Sequence, residues 1–127
     1  MRVILVRHAK AEPGDPDGLR PLSPKGRKRA RELAEELAGL RPDAVVSSPL
    51  VRARETAVPI AEALGLQLVV DERLAPGATA DDVRAATAGR GETVVTVGHA
   101  PDVEEIYLEL TGEVRHFKTG AFAEVEL

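Results

Sequence analysis

The chain has 127 residues, of which 43% are hydrophobic and 30% are charged, so we expect residues 1–127 to form a single globular domain around one core. The formal net charge of −4 argues against a nucleic-acid or membrane-surface binder, and the absence of cysteine excludes disulfides, thiolate metal sites and a cysteine nucleophile. No apolar run approaches ~20 residues and the N-terminus lacks the shape of a signal peptide, so we expect a cytoplasmic protein.

The first third of the chain shows a strand pattern, a loop pattern and a helix pattern in turn. Val3–Val6 is an unbroken aliphatic run, which is typical of a strand covered on both faces. The Pro-, Gly- and Asp-rich residues 9–21 predict a loop. A helix then begins with Ser23 as N-cap and Pro24 in its first turn, and it ends near Gly39.

A second strand and helix follow the same order. DAVVSS at residues 43–48 predicts a strand, and Ser48-Pro49 is expected to open a helix that runs to about Gly65. Because Pro59 lies inside that helix and cannot donate a backbone hydrogen bond, we expect a kink or an early break there.

The remaining elements continue the alternation. They are a strand at 66–71, a short helix at 80–89, a strand at 93–98, a helix at 100–112 and a last strand at 120–127. The last strand alternates apolar and acidic residues, as a half-exposed edge strand does. We therefore predict an α/β fold, a three-layer sandwich in which helices flank a mainly parallel central sheet and the last strand pairs antiparallel at an edge.

Histidines and arginines follow the ends of three predicted strands. Arg7 and His8 end the first strand, Arg52 lies one turn into the helix after the second, and His99 follows the fourth. Ligands of open parallel sheets bind outside the carboxyl ends of the strands, so we expect these four side chains to lie together.

Such a set of side chains suits the chemistry of phosphate. Two guanidiniums match phosphate oxygens, and a neutral imidazole can attack phosphorus to form a covalent phosphohistidine. A second histidine can donate to a phosphate oxygen in the transition state. Arg20, in the loop near the expected site, is a further candidate for a substrate contact.

A metal centre is the other common use of clustered histidines. Zinc requires three or more ligands, and the flanking arginines would repel the cation, so we expect no metal site. His116 lies in a late loop without a comparable position, and we expect it to be structural.

Four segments together resemble the histidine phosphatase superfamily, also called phosphoglycerate mutase-like, and its short SixA-type phosphohistidine phosphatases in particular. They are VRHAKAE (6–12), RPLSPKGRKRA (20–30), SSPLVRARETA (47–57) and VGHAPDVEE (97–105). The resemblance implies that His8 is the nucleophile, that Arg7, Arg52 and His99 hold the phosphate, and that no metal or organic cofactor is needed.

Two departures from the family pattern bear on the substrate. Ala9 replaces the usual glycine after the histidine, and Pro76 stands where many members carry a glutamate as general acid. Glu72 is out of register, and Asp81 or Asp82 would have to reach the site from the next helix. An alkoxide leaving group benefits from protonation by ~10²–10⁴-fold, whereas an imidazole leaves more easily. The missing acid therefore favours phosphohistidine as the substrate.

Three hypotheses follow for a chain that we expect to be monomeric. The first is dephosphorylation of phosphohistidine on a signalling or carrier protein. The second is hydrolysis of small phosphate esters or nucleotides, with an acid from residues 12–17 or 72–82. The third is a non-catalytic phosphate-binding module, against which the retained His8 argues.

Overall fold

The computed structural model describes residues 1–127. Five strands form one sheet, namely β1 (Arg2–Arg7), β2 (Ala44–Ser47), β3 (Val69–Val70), β4 (Thr93–Gly98) and β5 (Phe122–Glu126). The four α-helices are α1 (Pro24–Ala38), α2 (Val51–Leu64), α3 (Ala80–Thr87) and α4 (Asp102–Thr111), and short 3-10 turns lie at Asp17–Leu19 and Glu72–Leu74. None of the helices has the length and apolar character needed to span a bilayer.

The strand order is β3-β2-β4-β1-β5, and only the β1–β5 pair is antiparallel. The predicted fold class, including the antiparallel edge strand, is confirmed. In the register of the sheet Arg7 lies opposite Gly98, and Ser47 lies opposite Val97. The carboxyl ends of β1, β4 and β2 therefore meet at one edge.

The sheet is covered by helices on both faces. Ile4 and Val6 of β1 pack in one core cluster with side chains of α1 and α2, whereas Val3 and Leu5 pack in another with side chains of α3 and α4. Because side chains alternate between the faces of a strand, burial on both faces requires an unbroken aliphatic run. The central strand is thus fixed between two helical layers, and its carboxyl end is held in place.

The helix termini show where local signals hold and where they fail. Ser23 caps α1, because its Oγ accepts from the N–H of Gly26 at 3.0 Å. The prediction that Ser48-Pro49 opens α2 is wrong: the helix begins at Val51, and the Ser48 hydroxyl bonds to a histidine of the next strand exit.

Two other local expectations fail in part. The helix α2 continues through Pro59 to Leu64, so the early break does not occur. Ala57 and Ile60 are fully buried against α1 and the sheet, and this packing offsets the missing backbone hydrogen bond. The third strand is also shorter than its pattern, since only Val69–Val70 reaches β2 at the edge of the sheet.

Candidate active site

The backbone just beyond three strands brings two histidines together. The parallel hydrogen-bond pattern continues one residue past the strands, with the N–H of His8 donating to the Gly98 carbonyl and that of Ser48 to the Val97 carbonyl, each at 3.0 Å. The ring centroids of His8 and His99 lie 5.3 Å apart, and the rings are tilted by 56°. Both imidazoles are buried at the edge where the sequence pattern places them.

His8 is held as a neutral base. Its Nδ1 lies 2.7 Å from the carbonyl oxygen of Ala9, which can only accept, so Nδ1 carries the proton and Nε2 carries the lone pair. Burial lowers the pKa of His8 to about 4; the hydrogen bond to Ala9 opposes this, and the charges of Arg52, Arg7 and Arg20 add to it. At neutral pH the ring therefore presents an unprotonated Nε2, as a nucleophile requires.

The partner of His99 is compatible with the opposite tautomer. Its Nε2 lies 2.7 Å from the hydroxyl of Ser48, and that hydroxyl also accepts from the N–H of Leu50. The Ser48 O–H is free to donate to Nε2, and in that arrangement the ring proton lies on Nδ1. Nδ1 is buried and has no partner in the protein.

The charge state of His99 is also set by its surroundings. Burial, together with the charges of His8, Arg52 and Arg7, lowers its pKa to about 4, and the carboxylate of Asp17 opposes this shift. A buried N–H without an acceptor costs ~1–3 kcal/mol. An oxygen atom of a bound phosphate would supply that acceptor and favour binding.

The half-buried Arg7 and the buried Arg52 contribute two guanidiniums to the same edge. Nη1 of Arg7 donates to the Phe117 carbonyl at 2.8 Å, and its Nε is a second buried donor without a partner. Arg52 donates through Nη1 to the Asp17 carbonyl at 3.0 Å and through Nη2 to the Asp17 carboxylate at 3.1 Å. Arg7 has no acidic partner, so the site carries uncompensated positive charge.

Asp17 lies over Arg52 at the entrance to the site. Its carboxylate is bonded to Nη1 of Arg20 at 3.0 Å as well as to Arg52, and its side chain is 66% exposed. The hydrogen bonds from Arg20 and then from Arg52 lower the pKa of Asp17. Asp17 is therefore an ionised carboxylate that neutralises Arg52 while no phosphate is bound.

Arg20 lies at the site, and its Nε and Nη1 atoms are bonded to residues of its own loop. Besides its contact with Asp17, its Nε donates to the Glu12 carbonyl at 2.8 Å. Its charge contributes to the lowered pKa of His8. The structure thus brings Arg20 near the other four residues and shows it supporting the loop that carries Asp17.

Two residues that the sequence pattern did not single out attach this loop to α2. The hydroxyl of Thr56 accepts from the Ala9 N–H at 3.0 Å and donates to the Arg52 carbonyl at 2.7 Å, and Glu55 accepts from the Leu22 N–H at 2.7 Å. The available signal was their spacing, since residues three and four after Arg52 lie on the same helix face.

The two acidic residues of α3 that were considered as proton donors are engaged elsewhere. Asp81 pairs with an arginine on the exposed face of α3, and Asp82 closes the capping box of that helix. Glu72 lies exposed in its 3-10 turn and makes no side-chain hydrogen bond. Asp17 is the one candidate bonded to a site residue. No three histidine or carboxylate side chains lie in an arrangement that would hold a metal ion.

Comparison with known families and structures agrees with this geometry. Residues 3–76 match the family model of the histidine phosphatase superfamily (branch 1). The chain is similar to the structure of the protein histidine phosphatase SixA complexed with tungstate, with a TM-score of 0.87 and 30% identity, over 100% of this chain and 88% of that one. A mycobacterial glucosyl-3-phosphoglycerate phosphatase shares the fold, with a TM-score of 0.74 and 22% identity over 97% of this chain and 88% of that one.

Curated relatives match over a shorter stretch. Phosphoserine phosphatase 1 of Hydrogenobacter thermophilus is 40% identical over 83 residues, which is 58% of this chain and 37% of that protein. The matched region thus spans less than two fifths of the length of that relative.

Proposed function

Because the chain belongs to the histidine phosphatase superfamily and is of the SixA type, we propose that it hydrolyses phosphohistidine on a protein through a covalent intermediate on His8. Family membership supports phosphatase activity, whereas the choice of a phosphohistidine protein as the substrate is our proposal. The observation that carries it is the neutral, buried His8 with a free Nε2, beside two guanidiniums and the unpartnered Nδ1–H of His99.

In the first step the Nε2 lone pair of His8 attacks phosphorus. The P–N bond to the substrate imidazole breaks, and that nitrogen keeps the electron pair. When the other ring nitrogen of the phosphohistidine carries a proton, the departing group is a neutral imidazole and needs no proton from the protein. Arg7, Arg52 and the Nδ1–H of His99 donate to the phosphoryl oxygens, where charge must be stabilised in the transition state. The Nδ1–H of His8 remains bonded to the Ala9 carbonyl, which stabilises the positive charge that the phosphorylated ring acquires.

In the second step a water molecule attacks phosphorus on the phosphorylated His8. The P–Nε2 bond breaks, inorganic phosphate leaves, and the neutral imidazole is restored. The hydrogen bond to Ala9 fixes the same tautomer before and after the cycle, so no ring flip is required.

The choice of phosphohistidine over an ester depends on Asp17. Its carboxylate is bonded to Arg52, and its two arginine partners hold it ionised, so it has no proton to give at neutral pH. An alkoxide without a proton donor loses ~10²–10⁴-fold in rate. An imidazole leaving group does not need that donor to the same degree, so the site favours P–N cleavage.

Hydrolysis of a small phosphomonoester is the second candidate, and the similarity to a phosphoserine phosphatase supports it. In that case Asp17 would have to bind a proton on substrate entry, after the phosphate displaces it from Arg52. A purely phosphate-binding module has no use for the free Nε2 of His8. Arg20 acts, in our proposal, by positioning Asp17. A cytoplasmic location, a monomeric state and a single-domain organisation stay predictions.

The test compares phosphate release from a phosphohistidine protein and from phosphoserine, an alkyl ester whose alkoxide leaving group benefits from a proton donor. We expect rapid release from the first and slow release from the second, with both lost in His8→Ala. His116→Ala is the matched control, because this histidine is exposed and pairs with Glu104 away from the site. Faster turnover of the ester would contradict the proposed substrate, and full activity of His8→Ala would contradict the intermediate.

A further inference from the structure

All four lysines of the chain line one groove. Of the 17 basic residues only Lys10, Lys25, Lys28 and Lys118 are lysines, and they surround a surface groove of about 750 Å³ together with Arg29 and a single acidic residue, Glu32. The four lysines are exposed and form no ion pair, whereas Arg29 is bonded to Glu36. This lysine groove is therefore a concentrated, uncompensated positive patch on a chain of net charge −4.

The lysine groove adjoins the phosphate site through the backbone. Lys10 comes two residues after His8, and Lys118 follows Phe117, whose carbonyl accepts from Arg7. The N–H of Gly120, in the same segment as Lys118, donates to the carbonyls of Arg7 and His8 at 3.1 and 3.0 Å. A molecule that delivers a phosphoryl group to His8 thus passes close to the lysines if it is larger than the site.

The walls of the lysine groove are fixed by close packing. The N–H of Ser23 donates to the Lys10 carbonyl at 2.9 Å, and a Cβ at Gly26 would collide with that carbonyl. On the other side, Nε of Arg29 donates to the Gly120 carbonyl at 3.0 Å. Three chain segments therefore meet with little freedom, and they present the lysine side chains from a fixed backbone.

The positions of these charges destabilise the protein when no partner is bound. The first turn of α1 holds no acidic residue, and Lys25 and Lys28 lie near the positive end of the helix dipole. The lysines also repel one another across the groove. A partner that brings negative charge into the groove removes both costs.

We propose that the lysine groove docks an acidic segment of the phosphoprotein substrate that lies next to its phosphohistidine, an inference that rests on the proposed function. Arginine recognises a phosphate through a fixed fork of donors, whereas a lysine ammonium is a point charge on a flexible stem. Arg7 and Arg52 thus suit the phosphoryl group, and the lysines suit carboxylates whose positions vary. Charges at the rim of an interface act mainly on the association rate and its salt dependence.

The experiment uses phosphohistidine peptides of equal length with acidic, neutral or basic flanking residues. The wild type is compared with Lys25→Gln/Lys28→Gln/Lys118→Gln, which leaves Lys10 intact because it is close to His8. The matched control, Arg31→Gln/Arg41→Gln/Arg84→Gln, removes three positive charges from exposed positions outside the groove. Turnover of p-nitrophenyl phosphate, which has no flanking residues to place in the lysine groove, reports whether each variant is folded and active.

At low ionic strength we expect wild-type kcat/KM to be about tenfold higher for the acidic than for the neutral peptide, a preference that salt abolishes. The lysine variant should lose this preference and the arginine variant should keep it, both with unchanged ester turnover. Equal kcat/KM for all peptides in the wild type, or an unchanged preference in the lysine variant, would overturn the proposal.

A binding measurement separates this inference from the proposed function. Fluorescence anisotropy of the same labelled peptides on His8→Ala needs no turnover, so it tests the lysine groove even if the wild type releases no phosphate from them. Preferential binding of the acidic peptide that depends on the three lysines supports docking. Tighter binding of a single-stranded oligonucleotide at the same ionic strength would identify a nucleic-acid surface and overturn it.

Discussion

Lowering the pH from 7 to 5 should destabilise the ligand-free protein through its two buried histidines. His8 and His99 have an ordinary pKa of 6.5, which the folded site lowers to about 4. A depressed pKa in the folded state means that unfolding takes up protons below pH 6.5, so the stabilisation is present above that pH and lost as the pH falls towards 4. From these pKa values, each histidine lowers the free energy of unfolding by about 2 kcal/mol between pH 7 and pH 5, and the pair lowers it by about 4 kcal/mol.

Urea denaturation at pH 7 and at pH 5 measures this loss directly. His8→Gln/His99→Gln keeps polar side chains of similar length but removes both titrating groups. Between pH 7 and pH 5 its free energy of unfolding should therefore fall by several kcal/mol less than that of the wild type. His116→Gln is the control for a histidine outside the site and should follow the wild type. Equal losses in the wild type and the double variant would refute the account of the buried, neutral pair.

Two further predictions test the loop and its contacts. Asp17→Asn removes the carboxylate charge that pairs with Arg52, so tungstate should inhibit ester hydrolysis severalfold more strongly in this variant. If the inhibition constant stays the same and the kcat for the ester collapses, Asp17 is instead a proton donor. Gly26→Ala forces a methyl group against the Lys10 carbonyl and should lower the free energy of unfolding by about 1–3 kcal/mol. Gly39→Ala, where the added methyl group meets only an ordinary contact, should have a much smaller effect in the same urea titration, and similar losses in both variants would argue against the clash.

The fold could be predicted where one strong local signal decided each element. The aliphatic run Val3–Val6 requires burial on both faces, Ser23 caps α1 as its position suggests, and the alternation near the C-terminus marks the edge strand β5. The early break considered at Pro59 does not occur, because the packing of α2 outweighs the local penalty of proline. It also failed in part at β3, since the length of an edge strand depends on how far its neighbour extends.

The residues of the candidate site that follow strand ends were accessible from the sequence, because sheet topology alone decides where Arg7, His8 and His99 emerge. The contact between Asp17 and Arg52 was not, since the path of a Pro- and Gly-rich loop has no periodicity to read. The lysine groove could not be predicted from the sequence either, because it brings together segments from both ends of the chain.

The Ser48 hydroxyl connects the start of α2 with the chemistry of His99. A serine before a proline is a standard N-cap, yet α2 begins at Val51 and has no side-chain cap. The Ser48 Oγ accepts from the N–H of Leu50, and it lies 2.7 Å from Nε2 of His99, to which its O–H can donate. That donation leaves Nδ1 of His99 as a buried donor without a partner in the protein. The local pattern misplaced the helix start because Ser48 lies in the turn between the end of β2 and the start of α2, where its hydroxyl also contacts a residue of the site.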